Sequence, residues 1–292
     1  MIAVVGSDLV VFDQPAALAR WSDLQRQSGK RVAIVPTMGA LHDGHLSLVA
    51  EARRRADVVI VSIFVNPLQF DRRDDFDDYP RSIDDDLAIC RKLGVDVVYA
   101  PVASTMYPDD FETHVEPGPL GDVLEGPPRP GHFRGVTTVV AKLFGAARPH
   151  VAIFGEKDYQ QLRIIRRMAI DLDMQIEVVG AATVREPDGL AMSSRNRRLS
   201  SADRIAAVCV PRALAAMAAA YADGDLDCGH LQEIGRAVIA AEPRARLEQL
   251  TIVDADSLAP LSALDHTGGI GLALIAVWFG EIRLIDNRRF VG

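Results

Sequence analysis

Two histidines three positions apart, His42 and His45, stand in the segment PTMGALHDGH, between a β-branched apolar run and a helical pattern. Where a strand runs into a helix, backbone N–H groups and the positive end of the helix dipole converge, and α/β proteins bind phosphate there. Imidazoles at such a place donate hydrogen bonds to phosphate oxygens without needing a metal. Gly39 and Gly44 are expected to let the backbone approach a ligand closely. Their spacing is that of a Walker A loop, but His45-Leu46 occupies the place of its Lys and Ser/Thr, which excludes that reading. A zinc site is the other alternative, yet His-x-x-His supplies two ligands and no third is near in sequence.

Other stretches carry usable groups. FGEKDYQQ, Phe154 to Gln161, is a second strand end running into a helix. Lys157 there can neutralise a phosphate, Asp158 can act as a helix cap, and the amides Gln160 and Gln161 suit hydroxyls, although exposed helix glutamines are usually inert. AMSSRN, Ala191 to Asn196, offers Ser193, Ser194 and Arg195, two hydroxyls and a permanent cation; a capping serine pair before a solvated basic run is the plainer reading. SIFVNPLQF, Ser62 to Phe70, ends an apolar run with Asn66 and Gln69, neutral polar groups that can fix a hydroxylated ligand. YPRSIDDDL places Asp84, Asp85 and Asp86 at a helix start, with Ser82 and Asp85 spaced like a capping box; one aspartate is also a candidate magnesium ligand. The acidic stretch Asp71 to Asp78 reads as solvated surface.

The elements that must position these groups follow from periodicity. Near-continuous apolar runs at Val32–Val35, Val58–Val65, Asp96–Ala100, Val151–Phe154 and Gln175–Val179 predict strands buried on both faces. Helical patterns over His45–Arg55, Ile83–Leu93, Thr137–Ala147 and Tyr159–Leu172 alternate with them. This order predicts an α/β fold, a Rossmann-like doubly wound parallel sheet with ligands at the carboxyl ends of its strands. Near Thr183 the pattern changes to a polar, aperiodic connector. An alanine-rich helix, Ala202–Ala222, follows, with Pro211 expected to kink or split it. A second helix near Leu231–Ala241 and two strands, Ile270–Phe279 and Ile282–Ile285, joined by a Gly280-Glu281 hairpin, complete the chain. We therefore divide it into residues 1–182, a Rossmann-like domain, and 183–292, a smaller α+β domain that carries the Ser-Ser-Arg loop.

Composition narrows the classes. Of 292 residues, 49% are apolar and 25% charged, which suits a folded domain rather than a disordered chain. The net charge of −8 gives no global positive field for nucleic acid or an anionic membrane. Cys90, Cys209 and Cys228 are scattered and odd in number, which argues for a reducing compartment. The start, MIAVVGSDLVVFD, lacks the basic residue of a secretory signal, and the apolar run Gly268–Gly280 is too short to span a bilayer. A cytoplasmic protein is expected by elimination. With four lysines against 28 arginines, a lysine in a candidate site carries extra weight.

The combination of an HxGH after the first buried strand, a Ser-Ser-Arg loop after the last and a lysine strand end between them resembles the nucleotidylyl-transfer superfamily. More closely, PTMGALHDGH, SIFVNPLQF, RPGHFRGV, FGEKDYQQ and GLAMSSRN, in this order, resemble the pantothenate synthetase (pantoate–β-alanine ligase) family. The similarity runs from about Arg31 to Arg204, with RLIDN near the end a further echo.

That resemblance implies ATP-dependent condensation of pantoate with β-alanine through a pantoyl adenylate, releasing AMP and pyrophosphate. It implies ATP binding by Met38, Gly39, Ala40, Leu41, His42, Asp43, Gly44 and His45, by Gly155, Glu156, Lys157 and Asp158, by Val184, and by Met192, Ser193, Ser194 and Arg195. His45 would be the proton donor, with His42, Lys157, Ser193, Ser194 and Arg195 stabilising phosphate charge. Gln69 and Gln161 would bind pantoate, Gln69 also lying near β-alanine, and Arg129 or His132 would line the pocket. Asp85 or Asp86 would help hold Mg2+, which accompanies ATP as co-substrate; no tightly bound organic cofactor is implied. The partners expected are these small molecules and a second copy of the chain, with no nucleic acid and no membrane. Two rivals share the HxGH: a nucleotidylyltransferase that stops at the dinucleotide, and a nucleotide-binding regulator without turnover.

Overall fold

A computed structural model describes residues 3–4, 9–265 and 269–291. Met1, Ile2 and residues 5–8 of the segment read as lacking a secretory signal, and Gly268 at the head of the apolar run, lie outside the described residues. The chain divides into two compact units, 1–156 with 160–182, and 157–159 with 183–292. Lys157–Tyr159 thus group with the second unit although their chain neighbours belong to the first.

The first unit contains, in chain order, β1 (Ala3–Val4), β2 (Val10–Phe12), α1 (Pro15–Gln27), β3 (Val32–Thr37), α2 (Asp43–Arg55), β4 (Val58–Ile63), α3 (Arg73–Asp77), α4 (Ile83–Lys92), β5 (Val97–Tyr99), α5 (Ala103–Met106), α6 (His132–Ala147), β6 (Val151–Gly155), the body of α7 (Tyr159–Asp171) and β7 (Glu177–Ala181). The sheet order is β1-β2-β5-β4-β3-β6-β7, parallel throughout except for the antiparallel β1–β2 pair. Alternating side chains explain the unbroken apolar runs. Val32 and Ile34 face a core shared with α1, α6 and α7, whereas Ala33 and Val35 face the core under α2 and α4. The sheet is doubly wound, as the βαβ pattern predicts. Its order turns at β3, flanked by β4 on one side and β6 on the other, so the loops after β3 and β6 leave neighbouring strand ends.

The second unit contains α8 (Ser201–Ala206), α9 (Cys209–Ala222), α10 (Cys228–Ala240), β8 (Ala245–Asp254), β9 (Gly271–Phe279) and β10 (Ile282–Phe290). The three strands form an antiparallel sheet in the order β10-β9-β8. Gly280 turns the β9–β10 hairpin at φ +56°. Pro211 acts through the residue four before it: its ring would clash with the Ala207 carbonyl of a continuous helix, and the break falls at Ala207–Val208. Pro211 then sits in the first turn of α9, where its missing N–H needs no partner. By length and composition alone Ser201–Ala222 is apolar enough to cross a membrane. Here Ala206, Val210, Ala213, Leu214 and Met217 pack into the core of the second unit.

The structure departs from the sequence reading in several places. The reading assigns no strand to β8, whose Arg246 and Glu248 interrupt the apolar pattern; both find partners, Arg246 over the Trp278 ring and Glu248 with Arg283. β10 extends five residues beyond the expected Ile285, through charged DNRR. The stretch Asp71–Asp78 is more than a solvated loop, since α3 is held by Phe70, which packs edge-on against Phe76 and Tyr79. Ser82 precedes α4, but its side chain makes no cap hydrogen bond, so the expected capping box does not form.

Candidate functional site

The loop between β3 and α2 is built from the backbone outward. Thr37 ends β3 by donating its hydroxyl to the Ser62 carbonyl (2.7 Å) and accepting the Gly39 N–H (3.1 Å). Gly39 and Ala40 both take left-handed conformations, φ +80° and +51°. Their turn wraps a carboxylate: Ala40 N–H donates to Asp86 Oδ2 (2.9 Å) and Leu41 N–H to Asp86 Oδ1 (2.8 Å). A Cβ on Gly39 would lie 2.8 Å from Asp86 Oδ2, so this internal contact requires glycine there.

His42 then caps α2. Its Nδ1 accepts the Gly44 N–H (3.2 Å), and His45 Nδ1 accepts the His42 N–H (3.3 Å), so each histidine satisfies an orphan amide of the helix start. The two rings lie 4.1 Å apart between centroids. Since both Nδ1 atoms accept, the ring proton of each neutral imidazole sits on Nε2, the edge that donates. Both rings are half-buried, and Asp43 between them is exposed.

The turn after β4 holds the next group. Asn66 is 1% exposed, and its side chain is used on every side. Its Nδ2 donates to Gln69 Oε1 (3.0 Å) and the Gly135 carbonyl (3.1 Å), while its Oδ1 accepts from Leu68 N–H (3.3 Å) and the Tyr107 hydroxyl (2.8 Å). Burial raises the Tyr107 pKa, so the phenol keeps the proton it donates. Asn66, read from sequence as a ligand group, therefore fixes Gln69 instead. Gln69 Nε2 in turn reaches Met38 Sδ (3.3 Å), which joins the turn after β4 to the loop after β3.

His132 and Arg129 brace the same turn. Arg129 Nη1 donates to His132 Nε2 (3.1 Å), which leaves the proton on Nδ1, donated to the Gln69 carbonyl (2.7 Å). Arg129 also pairs with Asp71 (3.4 Å).

The glutamine pair divides. Gln160 is 4% exposed; it accepts from Glu125 N–H (3.0 Å) and donates to the carbonyls of Leu120 and Val123 (both 2.8 Å). It is a brace for the segment before α6, not an inert surface amide. Gln161 is half-buried on α7. At the end of β6, Gly155 and Glu156 are half-buried.

The two aspartates weighed for magnesium differ in surroundings. Asp86 is 2% exposed with both oxygens committed to backbone amides, and Asp85 is exposed beside it. Among the described residues, no three His, Cys, Asp or Glu side chains gather into a metal-holding group.

In the second unit the connector is clamped rather than open. Arg185 forms a two-pronged pair with Asp286 (2.7 and 3.0 Å), whose side chain is 1% exposed, and also donates to the Gly189 carbonyl (2.9 Å). Arg204 pairs with Glu186 and Asp188, and Asn196 donates to Glu186 (2.8 Å) and the Ala191 carbonyl (3.1 Å). Met192 N–H closes onto the Val184 carbonyl (3.0 Å). Ser193 Oγ accepts the Arg195 N–H (3.2 Å) and caps the turn Ser194–Arg198, as the plainer reading holds, while its hydroxyl hydrogen stays available to donate. Ser193, Ser194 and Arg195 are half-buried, as is Lys157, whose carbonyl accepts from Asn287 Nδ2 (2.9 Å); Asp158 is exposed. The Asp286 clamp escapes the sequence reading, although Arg185 and the IDN of RLIDN carry its two halves. Tyr107 gives no signal in the sequence.

Known proteins share this arrangement over nearly the whole chain. A family model described as pantoate-beta-alanine ligase matches residues 10–289. A pantothenate synthetase of Geobacter sp. (strain M21) is 49% identical over 271 residues, 93% of this chain and 96% of the relative. One of Salinispora arenicola (strain CNS-205) is 53% identical over 258 residues, 88% of this chain and 89% of the relative. The crystal structure of pantothenate synthetase from Thermus thermophilus superposes with a TM-score of 0.88 at 45% identity, covering 95% of this chain and 98% of that one. The pantoate-beta-alanine ligase of Francisella tularensis, complexed with beta-gamma ATP and beta-alanine, gives a TM-score of 0.77 at 33% identity, covering 95% and 96%.

Proposed function

Because the chain belongs to the pantoate–β-alanine ligase family, we propose that its two imidazoles act in an adenylation step. The enzyme joins pantoate to β-alanine at the expense of ATP. The pantoate carboxylate attacks the α-phosphate, pyrophosphate leaves, and the acyl carbon becomes an electrophile in pantoyl adenylate. The β-alanine amine then attacks that carbonyl, AMP leaves, and the amide of pantothenate remains.

The single observation that carries the residue assignment is the paired capping of α2 by His42 and His45. It fixes both rings and puts their donor edges, Nε2–H, where a helix N-terminus already favours phosphate. We assign the ATP phosphates to Met38–His45 and the Gly155–Asp158 strand end, with Lys157, Ser193, Ser194 and Arg195 supplying further donors and Val184 and Met192 forming the base of the turn. Gln69, already oriented by Asn66, is assigned to pantoate on the side of β-alanine, and Gln161 to pantoate. Mg2+ enters with ATP, and Asp85 or Asp86 at the start of α4 are the carboxylates proposed to help hold it. We further place the enzyme in the cytoplasm as a homodimer; the three described cysteines are free and buried, and burial raises the thiol of Cys90 to about 12 and that of Cys209 to about 11, which keeps both protonated.

The test is product identity. Incubation with ATP, Mg2+, pantoate and β-alanine should yield pantothenate and AMP in equal amounts. A stable dinucleotide formed without amine would remove this assignment.

A further inference from the structure

We propose that Asp86 is the positioning residue of the adenylation loop, acting as a built-in anion that holds the backbone carrying His42 and His45. The inference rests on reading that loop as the ATP site. Successive backbone N–H groups in a turn point into one concavity, a nest suited to an anion. Here Gly39 (φ +80°) and Ala40 (φ +51°) make the concavity, and the Asp86 carboxylate fills it with hydrogen bonds of 2.9 and 2.8 Å. Alanine at positive φ is a strained conformation that persists only where its surroundings enforce it, and the paired bonds to Asp86 supply that enforcement. The carboxylate comes from the first turn of α4, on an element separate from β3 and α2. Its contacts stop one residue short of His42, which begins the histidine cap of α2. Displacing Asp86 therefore shifts the start of that cap, whereas the bonds that Asn66 and His132 make to Gln69 stay in place.

Two substitutions attack one contact from opposite sides. Asp86→Asn preserves volume but turns an –NH2 group toward one of the two backbone donors. Gly39→Ala leaves Asp86 intact and drives a methyl to 2.8 Å from Oδ2 and 3.2 Å from Ile63 Cγ2, at a φ of +80° that strains alanine by itself. Each should raise the KM for ATP and lower adenylation by about a hundredfold, the scale of a catalytic group misplaced by an ångström. The dissociation constant for pantoate from calorimetry, and the Mg2+ concentration for half-maximal rate at saturating ATP, should stay at wild-type values. The double variant should be little worse than either single one, since the contact is lost once.

The proposal is overturned if Asp86→Asn raises the Mg2+ requirement, which would make Asp86 a metal ligand. It is equally overturned if pantoate and ATP binding weaken together, or if either folded variant adenylates normally. Should Asp86→Asn fail to fold, Gly39→Ala decides alone. Wild-type pyrophosphate exchange, run first, tests the underlying ATP-site reading separately. Failure there removes that reading, whereas success followed by unaffected variants removes only the role of Asp86.

Discussion

Replacing Asn66 with leucine tests whether the geometry of the pantoate side is set by this one buried amide. The substitution keeps nearly the same volume, so cavity formation contributes little. What it removes are four hydrogen bonds, to Gln69, Gly135, Leu68 and Tyr107. The Gly135 carbonyl keeps its helical partner, Gln69 is half-buried and Leu68 is exposed, so the main cost falls on the half-buried Tyr107 hydroxyl. A buried group left without a partner costs about 1–3 kcal/mol, which sets the expected loss. Denaturant titration of wild type and variant should show that loss as a lower midpoint at similar slope. A functional loss should accompany it in the folded fraction. Gln69 without its orienting bond loses about 1 kcal/mol, which corresponds to a roughly fivefold higher KM for pantoate. The KM for ATP should not move. A variant as stable as wild type, or one whose ATP affinity falls while pantoate affinity holds, would refute the reasoning.

His45→Ala and Lys157→Ala should each leave a folded protein whose single-turnover adenylation is slowed by a barrier increase of about 3–4 kcal/mol, and near-normal turnover by either would remove that residue from the mechanism. Gln161→Leu should raise the pantoate requirement while thermal stability holds, whereas Gln160→Leu should lower the melting temperature because three hydrogen bonds to the Leu120–Glu125 segment are lost; reversed outcomes would show that the two amides are assigned backwards. His150 accepts the Val32 N–H, and burial with the nearby Arg26 and Arg31 lowers its pKa below 6.5. Its neutral form is thus favoured in the fold, so its contribution to stability is present above pH 6.5 and lost as pH falls through the lowered value. Melting curves across that range should be flatter for His150→Asn, and an identical pH profile would contradict the assignment.

The parts of the molecule legible in sequence are those where local pattern and tertiary role agree. β3, β4 and β6 are buried on both faces, so their apolar runs name them directly, and the HxGH is visible because a helix start needs unusual residues. β8 and the far half of β10 are illegible because their charges find partners across the sheet, and no local periodicity encodes Arg246 over Trp278 or Arg185 against Asp286. At the site, residue type marks Asn66, Gly39 and Asp86 as candidates for ligand binding, and the fold adds for each an internal contact that the sequence does not encode. Residue type tells what chemistry a side chain is capable of; whether a neighbour 46 positions away already uses it, as Asp86 does for Ala40, is a property of the fold.

The central claim is that the loop of His42 and His45 serves attack of the pantoate carboxylate on the α-phosphate before any amine takes part. Exchange of labelled pyrophosphate into ATP measures this directly. With enzyme, Mg2+ and pantoate present and β-alanine absent, label should enter ATP, and withholding pantoate should abolish it. Exchange that strictly requires β-alanine, or stoichiometric ADP in place of AMP, would contradict the account even if pantothenate were formed.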